Sequence, residues 1–155
     1  MRGTVGLVNS NRSAPPGAVT PELVYEDVER AVEWLCRVFG FRVRWQAGGH
    51  RAQLWVGESG DGAVVVRDGP PDVPEGAPMP GACSSVLVRV EDAEAVMTRA
   101  GSGGARLVRP LTDQPYGERQ VTFEDLGGHR WTFTQSLADV APEQWGGVSR
   151  ELREG

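Results

Sequence analysis

Apolar and polar residues alternate from Thr20 to Glu26 and stop at Asp27, after which apolar residues fall at Val28, Ala31, Val32, Leu35, Cys36 and Phe39. The first spacing is that of a half-buried strand and the second that of one helix face, with Asp27 placed to cap the helix and Gly40 to end it. Phe41 to Gln46 alternates again, Gly48 and Gly49 turn the chain, and Arg51 to Val56 and Ala63 to Arg67 flank a Glu-Ser-Gly-Asp hairpin. The order then returns at an offset of 65 residues: Thr20-Pro-Glu-Leu-Val-Tyr-Glu-Asp27 is matched by Ser85-Val-Leu-Val-Arg-Val-Glu-Asp92. Ala93, Val96, Met97 and Ala100 mark a second helix, Gly103-Gly104 its end, Ala105 to Arg109 a strand, and Arg119–Glu124 with Arg130–Gln135 a hairpin turned at Asp125-Leu-Gly-Gly128. An internal repeat of this kind predicts two βαβββ modules packed together, an α+β fold.

The expected organisation is a flexible leader at 1–18, a first module at 19–67, a Pro/Gly linker at 68–82, a second module at 83–136 and a C-terminal tail at 137–155. Pro142-Glu-Gln-Trp145 in that tail is a candidate docking helix. A chain of 155 residues can bury a core without disulfide or metal staples. Its two cysteines, Cys36 and Cys83, are therefore expected as interior free thiols, which suits a reducing compartment. Val5 to Val8 is too short for a signal peptide or a membrane span, and we expect a cytoplasmic protein with no membrane partner. Sixteen basic against 21 acidic residues give a net charge of −5. That leaves no basic surface for nucleic acid. Five tryptophans carry large flat surfaces that must be buried or offered to a ligand.

Particular stretches resemble the vicinal-oxygen-chelate superfamily, which groups glyoxalase I, ring-cleaving dioxygenases, fosfomycin-inactivating enzymes and bleomycin-binding resistance proteins. They are Asp27-Val-Glu-Arg-Ala-Val-Glu-Trp34 leading to Phe39-Gly-Phe41, Val90-Glu-Asp92, Tyr116-Gly-Glu-Arg119, and Asp125-Leu-Gly-Gly-His-Arg-Trp-Thr-Phe133. The last departs from the usual Asp-Pro-Asp-Gly by carrying Leu126 and Gly127. The resemblance implies two modules forming a curved mixed sheet whose hollow holds a ligand, commonly in a homodimer with pockets near the subunit boundary. In metal-dependent members it implies one ligand on the first strand and one on the fourth strand of each module. Those positions fall on Thr20, Ser85 and Thr132, with the fourth near Val66. None of the four is His, Glu, Asp or Cys, so the expectation is no metal cofactor. The two histidines offer no replacement cluster: His129 reads as a hydrogen-bonded turn residue and His50 as an exposed loop residue near the mouth of the hollow.

If those positions face inward, alternation places Glu22 and Val24 beside Thr20, Leu87 and Arg89 beside Ser85, Val64 beside Val66, and Arg130 and Thr134 beside Thr132. Hairpin pairing at Gly57 and Gly62 sets Gln53 opposite Val66 and adds Arg51 and Trp55. With Trp45, His50, and Tyr116 and Arg119 from the loop entering the last hairpin, these form the candidate ligand site for an aromatic or amphipathic organic molecule. Trp34, Trp131 and Phe133 read as structural. The preferred function is metal-independent binding of a small molecule, like that of bleomycin-resistance proteins. The alternatives left open are a lyase, isomerase or dioxygenase using relocated ligands or acid-base chemistry from Glu22, His50 or Glu118, and a scaffold kept for protein contacts.

Overall fold

The structure, a computed structural model, describes residues 11–58, 60, 62–69 and 84–150. Most of the expected linker and Cys83 lie outside the described residues. The first module comprises β1 (Glu22–Val24), α1 (Val28–Phe39), β2 (Arg42–Ala47), β3 (Arg51–Val56) and β4 (Gly62–Arg67). The second comprises β5 (Ser85–Arg89), α2 (Ala93–Ser102), β6 (Arg106–Asp113), β7 (Glu118–Glu124) and β8 (Arg130–Ser136). A 3₁₀ turn at Pro142–Trp145 follows, where the tail helix is expected. Each module is a four-stranded mixed sheet, ordered β1-β4-β3-β2 and β5-β8-β7-β6. In both, the first strand runs parallel to the fourth and the other pairs are antiparallel. The two βαβββ modules are as the repeat predicts.

Boundaries differ for physical reasons. β1 is shorter than the alternation suggests, although the ladder continues through Val65 N–H to Pro21 O at 2.9 Å and Tyr25 N–H to Arg67 O at 2.9 Å. β6 runs past Arg109 through Pro110 to Asp113. A proline is tolerated there because β6 is an outer strand, and its register slips twice against β7.

Both helices start as their Asp caps dictate: Asp27 accepts from Arg30 N–H and Asp92 from Ala95 N–H, each at 3.1 Å. Their ends are finished by each other. Arg99 of α2 donates to the Arg37 carbonyl at 3.2 Å and, at 3.5 Å, to the Cys36 carbonyl, which also accepts from Gly40 N–H at 3.1 Å. Arg37 of α1 in turn donates to the Gly103 carbonyl at 3.5 Å. Gly40, at φ 77°, closes α1, and a β-carbon there would stand 2.8 Å from the Arg99 guanidinium. Half-buried Cys36 has its thiol pKa raised by burial and then by the charge of Glu33.

One apolar core serves both modules. Leu23, Leu54, Val64 and Val66 of the first sheet and Val88, Val121, Phe123, Trp131 and Phe133 of the second join α1 in a single buried cluster. Phe39, at the end of α1, lies 5.0 Å from the Phe133 ring and 5.8 Å from Trp131. Trp34 packs edge-on against Phe39 at 5.2 Å. Trp131 and Phe133 are thus structural, as their alternation implies.

A buried carboxylate fastens the seam. Asp125, 7% exposed, accepts from the Tyr25 hydroxyl of the first module, from Trp131 Nε1–H at 2.9 Å, and from the backbone N–H groups of Gly127 at 2.9 Å and His129 at 3.0 Å. His129 Nε2–H donates to the Val24 carbonyl at 2.8 Å, so the turn residue also bridges modules. The Leu126-Gly127 departure now has a reason: the Tyr25 ring lies so close that a β-carbon at Gly127 would sit 2.7 Å from Cδ1. Burial foremost, and then the charge and hydrogen bond of Asp125, hold the Tyr25 phenol far above its ordinary range and keep it a donor.

Two predictions follow from this seam. Asp125→Ala strands the Tyr25 hydroxyl and the Trp131 indole N–H and should cost about 3 to 5 kcal/mol in denaturant unfolding, with Gly127→Ala losing about 1 to 3. A raised tyrosine pKa stabilises the fold fully below the unfolded value, and that contribution disappears as pH rises above it. Unfolding free energy should therefore decline above about pH 10, and Tyr25→Phe should flatten the decline.

Candidate functional site

The helices cover one face of each sheet, and the candidate site occupies the other. In the first module a row runs Glu22, Val65, Gln53, Trp45 across β1, β4, β3 and β2. The neighbouring rows bring Val24, Arg67, Arg51 and Ala47 together, and Trp55 beside Ala63 and Arg42. This corrects the hairpin register by one residue. Gln53 pairs with Val65, whereas Val64 and Val66 point into the core beneath α1. The slip arises because Gly62 is itself the first strand residue, opposite Val56.

The polar groups on this face are largely committed to one another. Glu22 forms ion pairs with Arg67 and, at 3.5 Å, with Arg51 of its own sheet. Arg44, lifted onto this face by a β-bulge between Val43 and Trp45, donates to Gln53 Oε1 at 2.6 Å and stacks over Trp55 at 5.2 Å. His50 turns to Asp68, with Nδ1 2.6 Å from Oδ2, and that hydrogen bond raises its pKa. It stands just before β3, exposed beside Asp68.

In the second module the rows are Ser85, Arg130, Glu124, Arg106; then Leu87, Thr132, Thr122, Arg109; then Arg89, Thr134, Gln120, Thr112. Thr122 and Thr132 share a hydrogen bond at 2.7 Å. The Thr134 hydroxyl donates to Glu118 at 2.7 Å and receives Gln120 Nε2–H at 3.5 Å, and the Tyr116 hydroxyl reaches Gln120 Oε1 at 3.4 Å. The Tyr116 ring lies 5.4 Å from Trp145 of the 3₁₀ turn. Leu87 is 62% exposed in the midst of these polar groups. Beside it a cavity of about 500 Å³ opens between the modules, lined by Val19 and Pro21, the β3–β4 turn around Gly57 and Ala63, Leu87 and Arg89, and Glu118 and Thr134.

The structure therefore gathers Ser85, Leu87, Arg89, Arg130, Thr132 and Tyr116 onto one face, and Glu22, Trp45, Arg51, Gln53 and Trp55 onto another. Arg119 is a correction. It lies in β7, close to where the alternation starts that strand, but on the helix side, held by Asp113 at 2.7 Å. That bond raises the Arg119 pKa and lowers that of Asp113. Gln120 and Thr122 were missed, although counting outward from the Asp125–Gly128 turn sets them opposite Thr134 and Thr132. Trp145 had no periodic signal to place it.

The family's sequence model for the Glyoxalase/Bleomycin resistance protein/Dioxygenase superfamily matches residues 17–133. The chain belongs to this superfamily. Among solved structures it is similar to TioX from Micromonospora sp. ML1, at 40% identity and a TM-score of 0.62, over 78% of this chain and 100% of that one. It also shares its fold with a glyoxalase/bleomycin resistance protein/dioxygenase from Nocardioides, at 21% identity and a TM-score of 0.60, over 90% and 91%. An uncharacterised Mycobacterium bovis protein is 26% identical over 130 residues, 79% of this chain and 86% of that protein.

Metal-dependent superfamily members need anionic or imidazole donors from both modules, and the matching positions here do not fit. Register makes the fourth of them Val65, beside Glu22, in place of Val66. Thr20, Val65, Ser85 and Thr132 offer three neutral hydroxyls and a hydrocarbon. No group of three or more His, Cys, Asp or Glu side chains is placed to hold a metal ion among the described residues. Nor is any helix among them long and apolar enough to cross a membrane. Dialysis against EDTA should leave the melting temperature unchanged; a fall restored by Zn²⁺ or Mn²⁺ would contradict this donor set.

Proposed function

We propose that this superfamily member binds a small aromatic or amphipathic organic molecule against the helix-free face of the second module, without a metal ion, and sequesters it. The observation that carries the reading is Leu87, exposed at the rim of the inter-module cavity and ringed by groups able to orient a ligand. A volume near 500 Å³ lies within the range of small-molecule sites. Leu87 supplies apolar contact, Thr132 and Thr134 supply hydroxyls, and Arg89, which has no ion-pair partner among the described residues, supplies charge for a ligand's polar end. The superfamily's bleomycin-resistance branch gives the reading a precedent in kind.

Catalysis by acid-base chemistry is the second reading, and Glu118 favours it. It alone of Glu22, His50 and Glu118 lines the cavity. We also propose a homodimer, supported by Val43 and Leu107, exposed apolar side chains on the outer strands β2 and β6. Sedimentation should give twice the chain mass.

Titration with aromatic antibiotics, followed by tryptophan fluorescence, should give a saturable change that survives EDTA. Leu87→Asp should weaken the affinity about tenfold or more, the worth of one buried leucine, with little loss of melting temperature because Leu87 makes few contacts in the free chain. Equal affinity in the variant would refute the placement. Conversion of the titrated compound to product, abolished in Glu118→Gln, would move the assignment to catalysis.

A further inference from the structure

The corresponding face of the first module is occupied in part by the chain itself. Residues 11–18 form no strand or helix, yet hydrogen bonds tie them to one another and to the sheet. Ser13 N–H donates to Asn11 Oδ1 at 2.9 Å and Ala14 N–H to the Asn11 carbonyl at 3.1 Å, a local turn that presents the Ser13 carbonyl to the sheet. Two side chains of the helix-free face converge on that oxygen: Trp45 Nε1–H at 3.1 Å and Gln53 Nε2–H at 3.4 Å. The indole has no other acceptor among the described residues. Gln53 is only 2% exposed although it points away from the helix, and its other amide atom is taken by Arg44. Pro15 and Pro16 stiffen the stretch that follows, and the chain then passes Val19 and Pro21 at the cavity rim before entering β1.

We infer that the helix-free face of the first module is a chain-binding surface whose resident occupant is residues 11–18, so that this segment competes with any ligand reaching Trp45 and Gln53. No residue of the segment belongs to the core cluster among the described residues, so its release would uncover none of that cluster's members by direct loss of a partner within it. The two halves of the repeat thus have unlike roles. One receives the chain's own leader through a backbone carbonyl, and the other leaves Leu87 open. The competition requires a molecule of the class proposed above to reach the first module's face as well as the Leu87 site, whereas occupancy by the leader requires no ligand at all.

The chain contains a reporter, since Arg12 is exposed and adjoins Ser13. Tryptic cleavage after Arg12 should be slow in the unsubstituted protein and about fivefold faster in Trp45→Phe, which removes one hydrogen bond worth about 1 kcal/mol. Saturating 8-anilinonaphthalene-1-sulfonate should accelerate cleavage of the unsubstituted chain. It should also deprotect the Trp45 indole N–H in NMR hydrogen exchange, a measurement that needs no variant to fold. Equal cleavage rates in the two proteins, or an indole N–H that exchanges freely without the probe, would overturn the inference. Either result with the probe still bound near Leu87 leaves the proposed function standing. A protected indole with no probe binding anywhere supports the leader's occupancy and removes the competition.

Discussion

The arrangement depends on a single carboxylate withdrawn from water. Asp125 is tolerable in the interior only because four donors converge on it, one of them the hydroxyl of a tyrosine from the other module. Removing any donor leaves charge short of partners, so the seam resists gradual loosening. The local sequence is shaped around it, with Gly127 bare so that the Tyr25 ring can approach and Trp131 turned so that its indole N–H meets the same oxygen. The reciprocal arginines at the helix ends, Arg99 of α2 bonded to the end of α1 and Arg37 of α1 bonded to the end of α2, join the same pair of modules. The cavity between β5 and the β3–β4 turn lies between the modules joined in this way.

That geometry separates what the superfamily shares from what this chain does with it. The scaffold comes from the repeated strand-helix pattern and the common core. The site comes from side chains on the opposite face of the same strands, which the core does not constrain. Here three hydroxyls and a valine stand where metal-dependent members place metal-binding groups, and arginines, amides and the exposed Leu87 surround them. In the first module Glu22 pairs with both Arg51 and Arg67, while Arg89 in the second has no ion-pair partner among the described residues.

Much of the fold could be read in advance because burial on one face imposes a period on the sequence. Asp27, Gly40 and Asp92 marked helix ends through backbone chemistry that is local, and the structure places them so. The site was less accessible. Gln53 was assigned to the right face but set against Val66 instead of Val65, because a hairpin register depends on which turn residue opens the ladder, and a one-residue error moves a side chain to the other face. Arg119 was given to the pocket for its nearness to Tyr116, although the alternation that starts a strand at Arg119 sets it on the same side as Val121 and Phe123. The contacts of Ser13 with Trp45, and of Tyr116 with Trp145, join residues far apart in sequence through segments without periodicity, and nothing in the pattern announces them.

The central claim is that a ligand rests on the second module's open face by contact and hydrogen bonding. Isotope-filtered NMR on the chain saturated with a bound aromatic compound tests it most directly. The account predicts nuclear Overhauser contacts from the compound to the Leu87 methyls and to Thr132 and Thr134. Contacts confined to the helix side, around Arg119 and Asp113, would contradict it.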